Sequence, residues 1–120
     1  MIQVKRVYEP ARKDDGARFL VDRLWPRGFK KANLPSGRWL KQVAPSDKLR
    51  KWFGHDPAKW SEFRRRYEQE LEAQPGSWQP LAAASQKGKL TLLFSARDTE
   101  HNNAVALKAF LEKRQQAAGD

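Results

Sequence analysis

The 120-residue chain contains no cysteine. That excludes disulfides, thiolate zinc sites, iron–sulfur clusters and a cysteine nucleophile. Histidine is nearly absent too, with two copies, His55 and His101. They form no HxH or HExxH spacing, so no metal site is expected. No apolar run approaches the ~20 residues that span a bilayer, so no membrane partner is expected. The opening MIQVKRVYEP lacks the apolar stretch of a secretory signal, and a cytoplasmic location is the expectation. Glycine-rich phosphate and dinucleotide loops (GxGxxG, GxxxxGK[ST]) are missing, and no cofactor is expected. Ser95 lacks the flanking glycines of a GxSxG elbow, which argues against a serine hydrolase.

What is present is enough for a folded domain. Apolar residues make up 39%, with five Trp and six Phe. Length and the lack of an internal linker predict one domain over 1–120, with residues 115–120 as a frayed tail. The net charge is +10, and all of the excess lies early. Residues 1–67 carry 18 Lys and Arg against 7 Asp and Glu, whereas residues 68–120 carry 6 against 7. A basic field of this kind favours anionic partners.

Hydrophobic periodicity predicts three strands, at Ile2 to Tyr8, Ala17 to Leu24 and Lys89 to Phe94. Between the second and third lie several helical stretches. Arg38 to Ala44 can form a short helix, and Ser46 can cap a turn over Asp47 to Phe53. Asp56-Pro57 is a strong helix start. The helix it opens sets Trp60, Phe63, Tyr67 and Leu71 on one stripe. Ser77 can cap a further helix ending at Gly88. A last helix is expected from Thr99 or Glu100 to Arg114. A long helical crossover between strands suits parallel pairing. The predicted fold is therefore α/β: a small three-layer domain with a minimal, mostly parallel sheet and a helical insertion between the second and third strands.

Chemistry-bearing residues bunch where strands end. In Asp22-Arg23-Leu24-Trp25-Pro26-Arg27-Gly28, strand alternation would send Asp22 and Arg23 to opposite faces. Asp22 within an apolar strand needs a partner. It is either half of a structural Asp–Arg pair or, with Arg23 and Arg27, part of a pocket. Guanidinium forks match phosphate and carboxylate oxygens two at a time. After the third strand come Ser95, Arg97, Asp98, His101 and Asn102. Asp98 or Thr99 can cap the last helix, whose free N–H groups favour anions. His101 is the candidate proton-transfer group, oriented by Asp98 or Asp22. His55 is left unexplained by the helix start beside it and can turn toward the same pocket. Ligands of α/β sheets bind beyond the carboxyl ends of the strands. The basic, aromatic stretch from Arg38 to Tyr67 offers a nucleic-acid reading, but it rests on charge, because Trp60 and Tyr67 belong to an apolar stripe.

The stretches Leu20 to Gly28, Trp39-Leu40-Lys41 with Ala44-Pro45-Ser46, Leu49 to Pro57, and Ala96-Arg97-Asp98 followed by His101-Asn102 resemble one known pattern. It is that of the YeaO-like branch of the bacterial and archaeal family called domain of unknown function 488. The resemblance runs from about Ile2 to Leu111 with matching order and spacing. It implies a compact α/β domain and no established activity. Related branches place cysteines near the third strand. Ser95-Ala96 occupies that region here, so no thiol chemistry carries over.

The expected function is binding, or acting on, a small phosphate- or carboxylate-bearing ligand at the strand ends. Arg23, Arg27 and Arg97 would hold the anion. Ser95, Asn102 and His55 would complete its binding site, and His101, Asp98 and Asp22 are the candidate catalytic groups. The alternatives are a nucleic-acid-binding module built on the basic first part, and a regulatory or interaction protein without catalysis. The sequence specifies neither the ligand nor an oligomeric state.

Overall fold

A computed structural model describes residues 1–119, with side chains through residue 117. Three strands form one parallel sheet in the order β1-β3-β2: β1 is Ile2–Arg6, β2 is Ala17–Leu20 and β3 is Leu90–Phe94. The last strand in sequence is the central one, and all five of its residues are buried. This suits its unbroken LTLLF run, since a strand covered on both faces shows no polar alternation. Four α-helices accompany the sheet: α1 Asp47–Phe53, α2 Trp60–Ala73, α3 Pro75–Lys87 and α4 Asn103–Gly119. Three of them lie between β2 and β3, as the crossover reading requires. Among the described residues, no helix is long and apolar enough to cross a membrane.

The two sheet faces are covered differently. Ile2, Leu90, Leu92 and Phe94 share one buried cluster with Leu49 and Phe53 of α1, Phe63, Tyr67 and Leu71 of α2, Leu81 of α3 and Leu107 of α4. On the opposite face, Leu20 and Leu93 pack with Val7 and Leu34, flanked by Trp25, Phe29 and Trp39. That second cover consists of loop and single 3-10 turns. The expected helix over Arg38 to Ala44 shrinks to one such turn, Lys41–Val43. The reason is tertiary. Trp39 is drawn alongside β2 by the bonds Leu20 N–H to Arg38 C=O and Leu40 N–H to Leu20 C=O, at 2.8 and 2.9 Å.

Strands β1 and β2 end earlier than the apolar pattern suggests. The ladder of β2 continues one bond further, from Val21 N–H to the Leu93 carbonyl, and then Asp22 turns away. Other boundaries follow local chemistry. Ser46 caps α1, its hydroxyl accepting the Leu49 N–H, and its own groups donate to Glu70. Helix α3 starts at Pro75 rather than after Ser77, whose hydroxyl donates to the Gln74 carbonyl instead. Helix α4 continues through the segment expected to fray, and Gln115 bonds Ser85 of α3. Asp120 lies outside the described residues.

At the amino ends of the strands, the buried Asp15 accepts Lys5 at 3.0 Å, Gln3 at 3.1 Å and the Arg12 N–H at 3.0 Å, with Arg18 Nε 3.3 Å away. Burial raises its pKa, but the Arg12 N–H and the two cations outweigh that, and the carboxyl sits below its ordinary value. Gly16 follows with φ +66° and ψ −136°, a region essentially reserved for glycine. A Cβ there would lie 2.2 Å from the Lys89 carbonyl oxygen.

Two outcomes follow. Gly16→Ala should lower unfolding stability by about 3 kcal/mol in urea titration, since strain alone costs about 1–3 kcal/mol and the Lys89 backbone must also shift. Asp15 ionises more readily folded than unfolded. Its stabilisation is therefore present above the ordinary aspartate pKa and is lost as pH falls through the lower folded value. Asp15→Asn should flatten that acid limb and cost about 3 kcal/mol at neutral pH, by leaving Lys5 and Arg18 unpaired.

Candidate functional site

The carboxyl ends of β2 and β3 open into a cavity of about 340 Å³. Its centre is Asp22. With the ladder finished, the side chain reaches across to the next strand. Its Oδ2 accepts the Ser95 backbone N–H at 3.0 Å and the Ser95 hydroxyl at 2.7 Å. Its Oδ1 accepts Asn103 Nδ2 at 3.2 Å, and the same amide donates to the Val21 carbonyl at 2.8 Å. The exits of β2 and β3 and the first residue of α4 thus meet at one carboxylate. Its partners are a serine and an asparagine rather than the arginine of the Asp–Arg pairing considered above. Burial pushes the Asp22 carboxyl above the ordinary aspartate value, and the bonds from Ser95 and Asn103 pull it back.

Asp22 and Arg23 both line the cavity, so strand alternation no longer governs them. Arg23 is partly spent on structure: Nε donates to the Pro45 carbonyl at 3.0 Å and Nη2 to Ala44 at 3.4 Å, with Asp47 3.9 Å away. Arg27 is exposed at the mouth. Among the described residues its side chain has no hydrogen-bond partner, although its carbonyl accepts the Tyr8 hydroxyl at 2.7 Å.

The cavity also holds residues that the sequence did not assign to the strand-end site. Arg50 of α1 lines it, with Nη2 3.3 Å from Asp47 Oδ1 and a buried Nε that has no partner among the described residues. A signal for it existed: Arg50 precedes the core residue Phe53 by three, which places both on one helical face. Trp25, Phe53 and Phe63 supply aromatic walls.

His55 does turn to the cavity, and the means are local. Gly54 ends α1 in the left-handed conformation, and Asp56 already caps the next turn. His55 is the single residue left to connect them. It takes φ +58°, the one non-glycine positive φ among the described residues. A left-handed L-residue costs about 1–2 kcal/mol. His55 and Asp22 line the same cavity.

The remaining expected residues lie elsewhere. Asp98 does not cap the last helix. Its Oδ1 accepts the N–H groups of Glu100 and His101, at 2.9 and 3.0 Å, forming a separate turn. That consumes the backbone donors expected to start a helix at residue 99 or 100. Asn102 caps α4 instead, its Oδ1 accepting the Val105 N–H while Nδ2 donates to the Asp98 carbonyl. It contributes to the cavity wall, but its polar groups are occupied by the cap. His101 pairs through Nδ1 with Asp98 Oδ2 at 2.9 Å and sits edge-on to Trp60, 5.4 Å between centroids. The N–H groups of Glu100 and His101, together with the His101 ring, hold the Asp98 carboxyl below its ordinary value. Neither residue lines the cavity, nor does the exposed Arg97. Candidate acid–base pair and candidate anion site are therefore separated.

With the geometry in place, comparison with known sequences is informative. A family model described as "Inactive DUF488-N3 subclade" matches residues 1–120. The chain belongs to that family. Uncharacterized protein YeaO of Escherichia coli strain K12 is 46% identical over 110 residues, covering 92% of this chain and 96% of that one. Uncharacterized proteins Rv3073c of Mycobacterium tuberculosis strain H37Rv and Mb3100c of Mycobacterium bovis are each 37% identical over 113 residues, covering 94% of this chain and 95% of theirs. No solved structure matches. Membership of a DUF488-N3 subclade agrees with the long motifs of the first subsection, and near-complete coverage shows that this chain spans the length of these relatives.

The Asp22 junction predicts its own test. Asp22→Ala leaves the Ser95 N–H and hydroxyl and one Asn103 N–H without their acceptor. Unfolding stability should fall by about 2 kcal/mol in urea titration, because partly buried donors lose their bonds without regaining full hydration.

Proposed function

We propose that this DUF488-N3 domain binds a small phosphate- or carboxylate-bearing molecule in the cavity at the carboxyl ends of β2 and β3, without turning it over. The observation that carries this is the cavity's charge. Arg23, Arg27 and Arg50 line it, against the single carboxylate of Asp22. That carboxylate is already engaged by Ser95 and Asn103, so even with Asp47 paired to Arg50 and 3.9 Å from Arg23, the guanidinium groups outnumber the anions beside them. Arg50 adds a specific reason. Its buried, unpartnered Nε leaves the guanidinium partly desolvated, a cost that an anion on its outer nitrogens would offset.

Binding without turnover is supported by two things. The Asp98–His101 pair stands outside the cavity, and the matching subclade is described as inactive. The nucleic-acid alternative draws less support. Trp52, an aromatic of the basic stretch, is covered by its own cations, with Arg66 4.2 Å and Lys59 5.1 Å from the ring centroid. Arg65 and Arg66 are also paired with Glu62. Such groups have less to offer to bases and phosphates.

Inorganic phosphate should bind wild type by isothermal titration calorimetry. Arg27→Ala, which removes a side chain without structural bonds, should weaken that binding about tenfold at an unchanged melting temperature. Affinity equal in variant and wild type would overturn the reading.

A further inference from the structure

The anion reading accounts for the guanidinium groups of the lining and leaves its apolar part unused. Opposite in character to the guanidinium groups stand Trp25, Phe53 and Phe63, with Leu24 exposed at 59% on the rim. None of the three rings offers a free polar handle. The one N–H among them, Trp25 Nε1, donates to the Phe29 carbonyl at 2.7 Å. Phe53 and Phe63 are stacked with centroids 4.2 Å apart, and Trp25 is held edge-on to Trp39 at 5.3 Å. The walls are thus braced from behind.

Size points the same way. At roughly 30 Å³ for each water-sized group, about 340 Å³ holds roughly eleven of them. A bare phosphate or acetate would leave most of that space to water lying against the apolar part of the lining, Leu24, Trp25 and Pro26 with Phe53 and Phe63. Water confined against apolar walls is readily displaced by an apolar group. Leu24 is a large aliphatic side chain left open to solvent at the entrance, where an entering apolar group would cover it.

Building on the anion-binding reading, we infer that the ligand is a flat aromatic ring carrying an oxyanion, a phosphate ester or a carboxylate. The oxyanion faces Arg23, Arg27 and Arg50, and the ring lies among Trp25, Phe53, Phe63 and Leu24. The guanidinium groups also stand where they can contact the edge or face of that ring. Arg27 supplies the oxyanion contact and Leu24 the ring contact, and both are exposed, so each can be altered without disturbing the core.

The test is a calorimetric comparison of phenyl phosphate, inorganic phosphate, benzoate, acetate and phenol on wild type, Arg27→Ala and Leu24→Ser. Phenyl phosphate should bind about tenfold or more tighter than inorganic phosphate, as should benzoate relative to acetate, because burying a ring adds apolar area. Phenol alone should bind weakly. Arg27→Ala should weaken phosphate and phenyl phosphate alike, whereas Leu24→Ser should narrow the ratio between them and leave phosphate unchanged. Equal affinity for phosphate and phenyl phosphate would overturn the ring and leave the anion reading standing. An unchanged ratio in Leu24→Ser would likewise overturn it, by putting the ring elsewhere. Phenol binding as tightly as phenyl phosphate, or no binding by any of the anions, would overturn both.

Discussion

Everything at the working end of this domain depends on one carboxylate. Asp22 follows the last ladder bond of β2, and in place of further backbone pairing it makes three side-chain bonds. These join the exit of β2 to the exit of β3 and to the first residue of α4. A parallel sheet brings its strand ends to one edge, but it does not fix what the departing loops do there. Asp22 does that here. The cost is a carboxylate held partly out of water, with burial pushing its pKa up, and the compensation is that its bonds to Ser95 and Asn103 tie down the exit of β3 and the start of α4.

The same economy governs the cations. A chain with net charge +10 must place many guanidinium and ammonium groups. Several find local uses. Lys5 and Arg18 surround Asp15, Arg65 and Arg66 share Glu62, and Arg66 and Lys59 cover Trp52. Arg6 donates to the carbonyls of Ser95 and Ala96 and so braces the loop leaving β3 from behind. Arg27 and Arg50 are less fully used than these, and both line the cavity beside Asp22. Like charges gathered there, while others are paired off, are what give the cavity its character.

Much of the architecture was legible in the residues. The alternation of IQVKR, the unbroken LTLLF, Ser46 before α1 and Asp56-Pro57 before the next helical turn each act through near neighbours, and each holds in three dimensions. The misreadings share a cause. Arg38 to Ala44 has helical spacing, yet a distant strand edge claims its backbone. Asp98 is a good cap by type, but its carboxylate closes a turn of its own and leaves the cap to Asn102. Alternation fails for Asp22 and Arg23 because the strand has already ended. In each case a long-range or competing hydrogen bond outweighs a local preference worth about 1 kcal/mol or less.

For the candidate site, the sequence by itself determined the inventory: arginines and a carboxylate near the end of β2, a serine and asparagines after β3, and a histidine just before the Asp56-Pro57 helix start. These follow from residue type and short-range spacing. Only the tertiary structure decided which of them meet. It brought Arg50 into the cavity and set Arg97, Asp98 and His101 apart. It also brought Trp25, Phe53 and Phe63 into the same lining as the arginines. The physical reason is that cavity membership depends on how β2, β3, α1 and α4 pack together, and packing is set by contacts between residues far apart in the chain.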